Sequence, residues 1–357
     1  MRSGRFLGFL GVMMSLLLTA CDVHQWPVPN DEPQPGPEVP TVKHVNLNIS
    51  LEYLTEMKYW EHTYDGKTGK ITDTSSDDSD TYDNLDNILP GSLLEVTVKV
   101  HKDNNSRTLV SSDSFITKLA ENFDSEVNIE LPAGGDYIIT VWSHLLDDNG
   151  EALYDHSDFN SIRLIKEKYS GNNDMRDAFR GRTYISVSGE EDLEEKVTMK
   201  RPMGKMEFIT TGLQEFFAAE EKRLKDTTRA VSPDDYTVLI SYPYYYPYSF
   251  TAMDDRNEDA LPGFGFYAPL TLTRAGEDET SLGFDYVFIN DIDNGAVQVQ
   301  VSLIHTDGTT VSSTGTLTVP VKRSRHTVLK GDFLQSSSNG GGIGIDPDFE
   351  GDFNIPM

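Results

Sequence analysis

Apolar residues recur at every second position in several short segments, and this spacing constrains the fold more than any other feature of the sequence. Residues 45–51 read VNLNISL, with apolar side chains at each odd-numbered position. The same alternation runs through residues 94–100 and 127–131. Successive side chains of a β-strand point to opposite faces, so a period of two is typical of strands with one buried face. The sequence therefore predicts a chain built from many short strands.

Further strands are predicted where β-branched and aromatic runs are bounded by Pro, Gly or polar residues. These runs are residues 131–145, 183–188, 195–201, 204–211, 236–242, 284–289, 296–305 and 315–321. Asp307-Gly308 fits a hairpin turn between the last two. One helix is predicted over residues 213–225, because Leu213, Phe216, Phe217 and Leu224 fall near one helical face.

This pattern predicts an all-β protein with one or two short helices. Many short strands joined by long loops are typical of β-sandwiches. The length of 357 residues favours two sandwich domains in tandem, an N-terminal domain over residues 42–200 and a C-terminal domain over residues 201–357.

The N-terminus has the layout of an exported protein. Residues 1–20, MRSGRFLGFLGVMMSLLLTA, have a positively charged start and an apolar run too short to span a bilayer. Cys21 follows as the only cysteine of the chain, and Leu18-Thr19-Ala20-Cys21 resembles the lipobox of bacterial lipoproteins. We predict that residues 1–20 are a signal peptide and that Cys21 is acylated, for example by palmitate, as an outer-membrane anchor. An ordinary cleaved signal peptide with a chance cysteine is the alternative.

Residues 21–41 predict an extended tether, because six prolines lie within them. The chain carries 30 Lys and Arg against 58 Asp and Glu, a formal net charge of −28. A charge of this sign argues against nucleic acid as a partner. Since no second cysteine is available for a disulfide, the folded part must be stabilised by its core.

Motifs of catalysis or cofactor binding are absent from the sequence. It contains no nucleophile elbow, Walker loop, zinc-protease motif or dinucleotide-binding motif. The eight histidines are scattered without metal-ligand spacing, so we predict no enzyme activity, no cofactor and no metal site. The Asp-rich residues 73–87 and residues 290–295 are the two segments whose composition suggests a calcium site. The second segment lacks the EF-hand ligand pattern, and a solvated loop is favoured for the first.

The aromatic segment SYPYYYPYSF at residues 241–250 has two interpretations. Tyr242, Tyr244, Tyr245 and Tyr246 offer rigid amphipathic area for stacking on sugars or for contact with another protein. Alternatively, the rings pack on the sandwich and the prolines interrupt regular pairing. The packing interpretation is favoured, and the ligand or partner contact is kept as a candidate site.

Several segments, taken in order, resemble a known family. They are CDVHQWP, LPAGGDYIITVWSHLLD, DMRDAFRG, RPMGKMEFITT, YPYYYPYSFTAMDD, GFDYVFIN, VPVKRSRHTVLKGDFL and GGGIGIDPDFEGDFNIPM. Together they look like the fimbrillin-like lipoproteins of Bacteroides-type bacteria, in a branch known only as a domain of unknown function. The resemblance implies two transthyretin-like β-sandwich domains and a non-enzymatic cell-surface role in fimbriae. The protein would be a fimbrial subunit or an anchor or accessory protein, acting in pilus assembly and cell adhesion.

The resemblance also implies a mode of assembly. Polymerising members of the family lose an N-terminal segment to a protease that cuts after Arg or Lys, and the groove left behind receives a strand from another subunit. After Cys21 the first arginine here is Arg107, and Lys43 is the only basic residue near the first strand. Lys43 is therefore the candidate processing site, with Lys58, Lys67 and Lys70 as later choices. Without processing, the protein would stay on its lipid as an anchor or accessory subunit.

Two further alternatives stay open at this point. The C-terminal segment, after the glycines at 340–342, is either a donor strand for another subunit or simply the last strand of the chain, at Phe353 to Ile355. A glycan-binding surface lipoprotein is the second functional hypothesis, using the four tyrosines or Trp142. An enzyme would be considered if His144, Asp147 and Asp158 met in a cleft.

Overall fold

Strands make up most of the chain that the structure describes. The computed structural model describes residues 41–51, 57–74, 91–120, 123–189, 191–224, 231–272, 278–290, 295–335 and 352–353. The strands before residue 200 are β1 Val42–Leu51, β2 Lys58–Asp65, β3 Lys70–Asp73, β4 Leu93–Lys102, β5 Leu109–Lys118, β6 Asp124–Pro132, β7 Gly135–Leu145, β8 Tyr154–Asp155, β9 Ile162–Leu164, β10 Ala178–Val187 and β11 Leu193–Met199.

The second half continues with strands and contains the α-helix of the described residues. Its elements are β12 Met203–Thr211, α1 Leu213–Leu224, β13 Tyr236–Ser241, β14 Tyr246–Thr251, β15 Arg256–Leu261, β16 Gly265–Pro269, β17 Glu279–Phe288, β18 Gly295–His305, β19 Thr310–Ser313, β20 Leu317–Val321, β21 Arg325–Gly331 and β22 Asp352–Phe353. Short 3-10 turns lie at Lys166–Lys168, Asp174–Arg176, Pro233–Asp235 and Phe333–Gln335. The predicted all-β class with one short helix is confirmed.

The first strand lies in the middle of a three-stranded sheet of order β11-β1-β6. It runs parallel to β11 and antiparallel to β6, so that Leu47 lies opposite Glu195 on one side and Val127 on the other. Val45, Leu47 and Ile49 are fully buried, as the period-two pattern predicts. β1 is therefore held by hydrogen bonds on both edges and by apolar packing on one face.

The second sheet, of order β10-β7-β4-β5, packs against the first. Gly181 of β10 lies directly under Val197 of β11, and a Cβ at this position would collide with the valine side chain. Both faces of β7 are buried: one side carries Tyr137 and Ile139, and the other carries Trp142. A strand covered on both faces explains why its apolar run is continuous rather than alternating.

Two sheets combine strands from before and after residue 200. In the order β17-β12-β21-β2-β3, strand β2 runs parallel to β21, with Trp60 opposite Thr327. In the order β15-β14-β9-β8, Phe250 of β14 lies opposite Ile162 of β9. Residues Thr41–Met357 form one compact unit. The division into two sandwich domains near residue 200 stays a prediction.

The remaining sheet is arranged around the long strand β18, in the order β16-β13-β18-β19, and β20 and β22 also pair with β18. The predicted turn at Asp307-Gly308 follows β18, where Gly308 has φ +87° and its N–H donates to the His305 carbonyl at 2.8 Å. The chain then returns as β19 before β20, so an additional short strand lies inside the predicted hairpin. β22 pairs in parallel with Gly295 and Ala296, which makes Asp352–Phe353 the last described strand.

Helix α1 begins at Leu213 and ends at Leu224, one residue before the predicted end. Leu213 and Phe216 are buried, and the Phe216 ring meets Tyr236 of β13 edge-on at 5.5 Å between centroids. Within the described residues, no helix has the length and apolar character needed to cross a bilayer.

Several sequence predictions fall outside the described residues. These are the signal peptide, Cys21 and the tether, most of the Asp-rich segment 73–87, residues 291–294 of the second calcium candidate, and the glycines at 340–342.

Candidate functional site

The motif DMRD at residues 174–177 forms the centre of a buried ionic network. Asn173 begins this segment, and its side chain accepts a hydrogen bond from the Met175 N–H at 3.0 Å. Arg176 is buried and its terminal nitrogens donate to the Asp285 carboxylate, to the Tyr246 hydroxyl and, at 2.8 Å, to the Tyr286 carbonyl. The guanidinium thereby ties the 174–177 turn to β14 and β17.

The neighbouring acids of the motif make two more links. Asp177 is buried and accepts from Arg201 Nε through both carboxylate oxygens, at 3.0 and 2.7 Å. Burial raises the pKa of Asp177, an effect that the Arg201 charge opposes. Asp174 accepts from Lys205 at 3.2 Å and from the Tyr286 hydroxyl at 2.8 Å. Two of the segments behind the family resemblance, DMRDAFRG and RPMGKMEFITT, therefore meet in this network, which we call the ionic clamp (Asp174, Arg176, Asp177, Arg201, Lys205 and Asp285).

The clamp fixes two of the four candidate tyrosines in the interior. Tyr242 and Tyr246 are buried; the Tyr242 hydroxyl donates to Asp285, and the Tyr246 hydroxyl donates to the Tyr286 carbonyl at 2.7 Å. Burial raises the pKa of both phenols. Tyr242 and Tyr246 therefore pack in the interior, as the favoured interpretation of the sequence predicted. Neither ring is accessible to a ligand at the surface.

The other two tyrosines lie in the turn between β13 and β14. Tyr244 and Tyr245 are each about half exposed, while their neighbours at 242 and 246 are anchored in the core. The candidate contact surface is thereby narrowed to this adjacent pair, because an external ligand reaches only these rings. Trp142, the other aromatic residue considered for sugars, is fully buried.

The candidate processing residue Lys43 lies inside β1, where it pairs with Leu131 of β6. The later candidate lysines all follow β1 in the chain, since the first of them, Lys58, begins β2. A cut after Lys43 would therefore leave residues 44–51 in their sheet. Cleavage at Lys43 would therefore not release the whole first strand.

Strand β5 offers a long sheet edge. Nine of its ten residues pair with β4, Val110 lies at a bulge, and among the described residues no strand pairs with its other edge. The side chains of Leu109 and Ile116 on this strand are both more than half exposed, so β5 presents apolar surface to solvent. An unpaired strand edge presents free N–H and C=O groups to a further strand.

The histidine and aspartates considered for catalysis do not converge. Asp147 accepts from the backbone N–H groups of Asn149 and Glu151 at 2.9 and 2.8 Å, so it shapes its own loop. Asp158 likewise accepts from the Asn160 N–H at 2.9 Å.

His144 instead meets Glu95 and His156, and these three residues have metal-ligating atoms within 4.8 Å of one another. Burial, followed by the nearby His156, lowers the pKa of His144 to about 3. Sequence reasoning missed this cluster because its members lie on β4, on β7 and after β8, with no short spacing to mark them.

A family model described as a family of unknown function, DUF6562, matches residues 42–357. No curated protein matches this chain. Among solved structures, the fimbrial anchor protein Mfa2 from Porphyromonas gingivalis is similar, with 11% identity, a TM-score of 0.39, and coverage of 76% of this chain and 81% of that chain.

Two further solved structures are similar over most of their length. A protein provisionally described as a cell adhesion protein, from Bacteroides eggerthii, has 12% identity, a TM-score of 0.39, and coverage of 90% of this chain and 94% of that chain. One provisionally described as polysaccharide-binding, from Bacteroides thetaiotaomicron, has 12% identity, a TM-score of 0.38, and coverage of 75% and 79%. All three TM-scores are below 0.5.

Proposed function

The chain belongs to the family of unknown function DUF6562, and from that premise and its own residues we propose that it is a fimbrial lipoprotein of the cell surface. It is held to the outer membrane by lipid on Cys21 and acts in pilus assembly and cell adhesion through contacts with other fimbrial subunits. No reaction is assigned to it. The motifs that resemble fimbrillin-like lipoproteins, the lipobox and the Pro-rich segment behind Cys21 support this proposal.

The observation that carries the proposal is the position of β1. This strand is the middle strand of its sheet, and Val45, Leu47 and Ile49 are fully buried in it. Opening the groove between β6 and β11 requires removal of the whole strand, and Lys43 lies too early to allow that. A cut after Lys58, the next lysine, would release β1, but Lys58 is itself held in a sheet, as the first residue of β2 opposite Arg325 of β21. We therefore assign the protein the role of an anchor or accessory subunit that keeps β1 and its lipid.

An unprocessed subunit needs another place to receive a partner, and β5 meets this need. Within the part of the chain that the structure describes, this ten-residue strand is paired on one side only, and Leu109 and Ile116 expose apolar surface beside its other edge. Addition of a strand would satisfy the free backbone groups, and alternate side chains would give specificity. The proposed occupant is an extended segment of another fimbrial subunit.

Intact-mass and N-terminal analysis of the protein from its native outer membrane tests the retained anchor. The expected result is an acylated Cys21 on a chain that still contains β1. A non-acylated chain beginning after Lys43 or Lys58 would contradict the anchor role and indicate a processed, polymerising subunit.

Site-specific crosslinking in living cells tests the strand edge. A photo-reactive residue at Ser112, in the middle of β5, is expected to give an adduct that mass spectrometry identifies as a fimbrial subunit. The matched control places the same residue at Lys222, which is exposed on α1. Equal adducts from both positions, or none from Ser112 in cells that carry fimbriae, would contradict docking at β5.

Glycan binding is a second candidate, favoured by the exposed pair Tyr244 and Tyr245. Two adjacent half-exposed rings on a turn anchored at both ends provide a stacking surface with little conformational freedom. A glycan array probed with the full chain and with a Tyr244→Ala/Tyr245→Ala variant tests this role. Binding that is lost in the variant would support it, and an array without signal would remove it.

A further inference from the structure

Glu95, His144 and His156 bring three metal-ligating side chains to one place. Glu95 of β4 and His144 of β7 lie directly opposite each other in the antiparallel register, so their side chains share a face of the sheet. His156 comes from the segment that follows β8 and lies with its ring centroid 4.8 Å from that of His144. The three residues thus join two neighbouring strands to a separate segment.

Two separations between ligating atoms, one to each oxygen of the Glu95 carboxylate, match the spacing of ligands around a tetrahedral ion. His144 Nε2 lies 3.4 Å from Glu95 Oε2, and His156 Nε2 lies 3.4 Å from Glu95 Oε1. Two ligands at zinc distances of about 2.0–2.2 Å, seen at the tetrahedral angle, are separated by about 3.4 Å. Both distances are longer than an ordinary hydrogen bond and agree with a pair of atoms on either side of one cation.

His144 is a buried polar group without a partner. Its side chain is 0% exposed, and among the described residues neither ring nitrogen has a hydrogen-bond partner. Leaving such a group unpaired in the interior is costly, and few native side chains are left in that state. Its Nε2 lies 3.4 Å from Glu95 Oε2 without the alignment of a hydrogen bond, so a cation bound by both would give Nε2 and the carboxylate a partner.

His156 has the arrangement expected of a metal ligand. Its Nδ1 lies 3.3 Å from the Tyr154 carbonyl, a contact that places the proton on Nδ1 and leaves the lone pair of Nε2 facing Glu95. Histidines that bind metals usually donate their other N–H to a carbonyl or carboxylate in this way. Glu95 is further oriented by the Ser114 hydroxyl, which lies 3.3 Å from Oε1.

We propose that Glu95, His144 and His156 bind one divalent transition-metal ion, with Zn²⁺ as the best fit to two imidazoles and one carboxylate. The side chains of Glu95 and His156 are 21% and 18% exposed, so the ion reaches the site from solvent and takes water as its fourth ligand. The bound ion links β4, β7 and the segment after β8. This site is independent of the fimbrial role, and it touches β5 only through the Ser114 hydroxyl.

Metal titration of the full chain tests the site. Every sample carries Cys21→Ser, so that the single thiol does not compete for the metal. Calorimetry of the metal-depleted protein with ZnCl₂ is expected to give one ion per chain, and Zn²⁺ is expected to raise the melting temperature because it binds the folded state. Co²⁺ in the same site is expected to show the visible absorption of a tetrahedral complex.

His156→Gln is the decisive variant, because His156 lies outside the strands and its loss leaves the sheet pairing intact. It is expected to weaken Zn²⁺ binding by about tenfold or more and to reduce the melting shift accordingly. His305→Gln is the matched control, since His305 forms a two-residue pair with Asp307, at 3.1 Å, outside this cluster. Its Zn²⁺ affinity and melting shift are expected to equal those of the parent chain.

Glu95→Gln is a second variant that tests the same metal site through a different ligand. It keeps the size of the side chain and is expected to reduce affinity as His156→Gln does. Two results would overturn the proposal: no saturable Zn²⁺ binding by the parent chain, which would leave a histidine–carboxylate ion pair only, or equal Zn²⁺ affinity in the parent and both variants, which would place the ion elsewhere.

Discussion

Arg176 and His144 are both buried beside a carboxylate, but their surroundings differ. Both terminal nitrogens of Arg176 donate hydrogen bonds, to Asp285, Tyr246 and the Tyr286 carbonyl. His144 lies 3.4 Å from Glu95 without meeting the geometry of a hydrogen bond. Among the described residues, Arg176 makes three hydrogen bonds through its terminal nitrogens and lacks a partner only at Nε, whereas neither ring nitrogen of His144 has a hydrogen-bond partner.

This difference separates a structural role from a binding role. A buried charge contributes to a unique fold when its partners are all supplied by the protein. A buried imidazole without a partner does not contribute in this way, and a ligand is the means by which it becomes satisfied. We therefore expect mutations of the ionic clamp to change stability, and mutations at the histidine cluster to change metal binding.

The largest effect is expected from Arg176→Met. Removing the guanidinium leaves the Asp285 carboxylate buried without its charge partner, which costs about 3–5 kcal/mol. Urea unfolding followed by circular dichroism measures the loss. The matched control is Arg107→Met, because Arg107 and Asp254 form a 2.6 Å pair in which both side chains are more than one-third exposed. That pair is expected to contribute about 1 kcal/mol or less.

Equal losses in the two variants would contradict the distinction between the clamp and a surface pair. The double variant Arg176→Met/Asp285→Leu sharpens it further. Replacing both charges by apolar side chains removes the uncompensated carboxylate, so it is expected to recover part of the stability lost by Arg176→Met alone.

The second effect concerns His62, another buried histidine, which lies opposite Asp73 in the β2–β3 pair. Burial lowers the pKa of His62 to about 4; Asp73 opposes this effect, and Lys322 adds to it. Because the unfolded chain binds a proton at His62 below its ordinary pKa of 6.5, the unfolded state gains on acidification. Stability from this group is present above pH 6.5 and is lost as the pH falls toward 4, by at most about 3 kcal/mol.

Urea unfolding of the parent chain and of His62→Phe at pH 7 and pH 5 measures this loss. The variant is expected to be less sensitive to acidification than the parent. His44→Phe, at an exposed position, is the control and is expected to leave the pH sensitivity unchanged. A parent chain and His62→Phe variant with the same pH dependence would show that His62 is not kept neutral by burial.

A smaller effect is expected from His144→Phe in metal-free protein. The substitution keeps a ring in the same space and removes no hydrogen bond, so stability is expected to change by about 1 kcal/mol or less. Unfolding in the presence of a chelator measures this. A loss as large as that of Arg176→Met would mean that His144 already has a strong partner in the protein and would weaken the contrast with the clamp.

The sequence predicted the strands in which one face is buried and the other is exposed. β1 and β6 alternate because each has one covered face, and α1 was predicted to within one residue. β4 alternates in sequence as well, although Thr97 and His101 on its other face are also buried. Strand β5, LVSSDSFITK, was missed because an exposed edge does not need alternating apolar residues. β14 was missed as a regular strand because Pro247 interrupts its pattern; the structure accommodates this proline beside a pairing irregularity.

The sites were less predictable because their members are distant along the chain. Arg176 and Asp285 meet only through the arrangement of sheets, and neither has a local motif that names its partner. Glu95 and His144 become neighbours through strand register, which a single sequence does not specify. The tyrosines were recognisable as an aromatic cluster, but their division into buried and exposed pairs depends on which hydroxyls reach Asp285 and Tyr286.

The smallest effect on stability is expected from Tyr244→Ala/Tyr245→Ala. Both rings are half exposed, so their removal is expected to change the free energy of unfolding by about 0.5 kcal/mol or less. Tyr246→Phe is the matched comparison, because it removes only a buried hydroxyl that bonds Arg176 and the Tyr286 carbonyl, at a cost of about 1 kcal/mol or more. Urea unfolding of the three chains gives this order directly. If the exposed pair proved the more costly to remove, the two rings would belong to the core with Tyr242 and Tyr246, and the turn would lose its place as a contact surface.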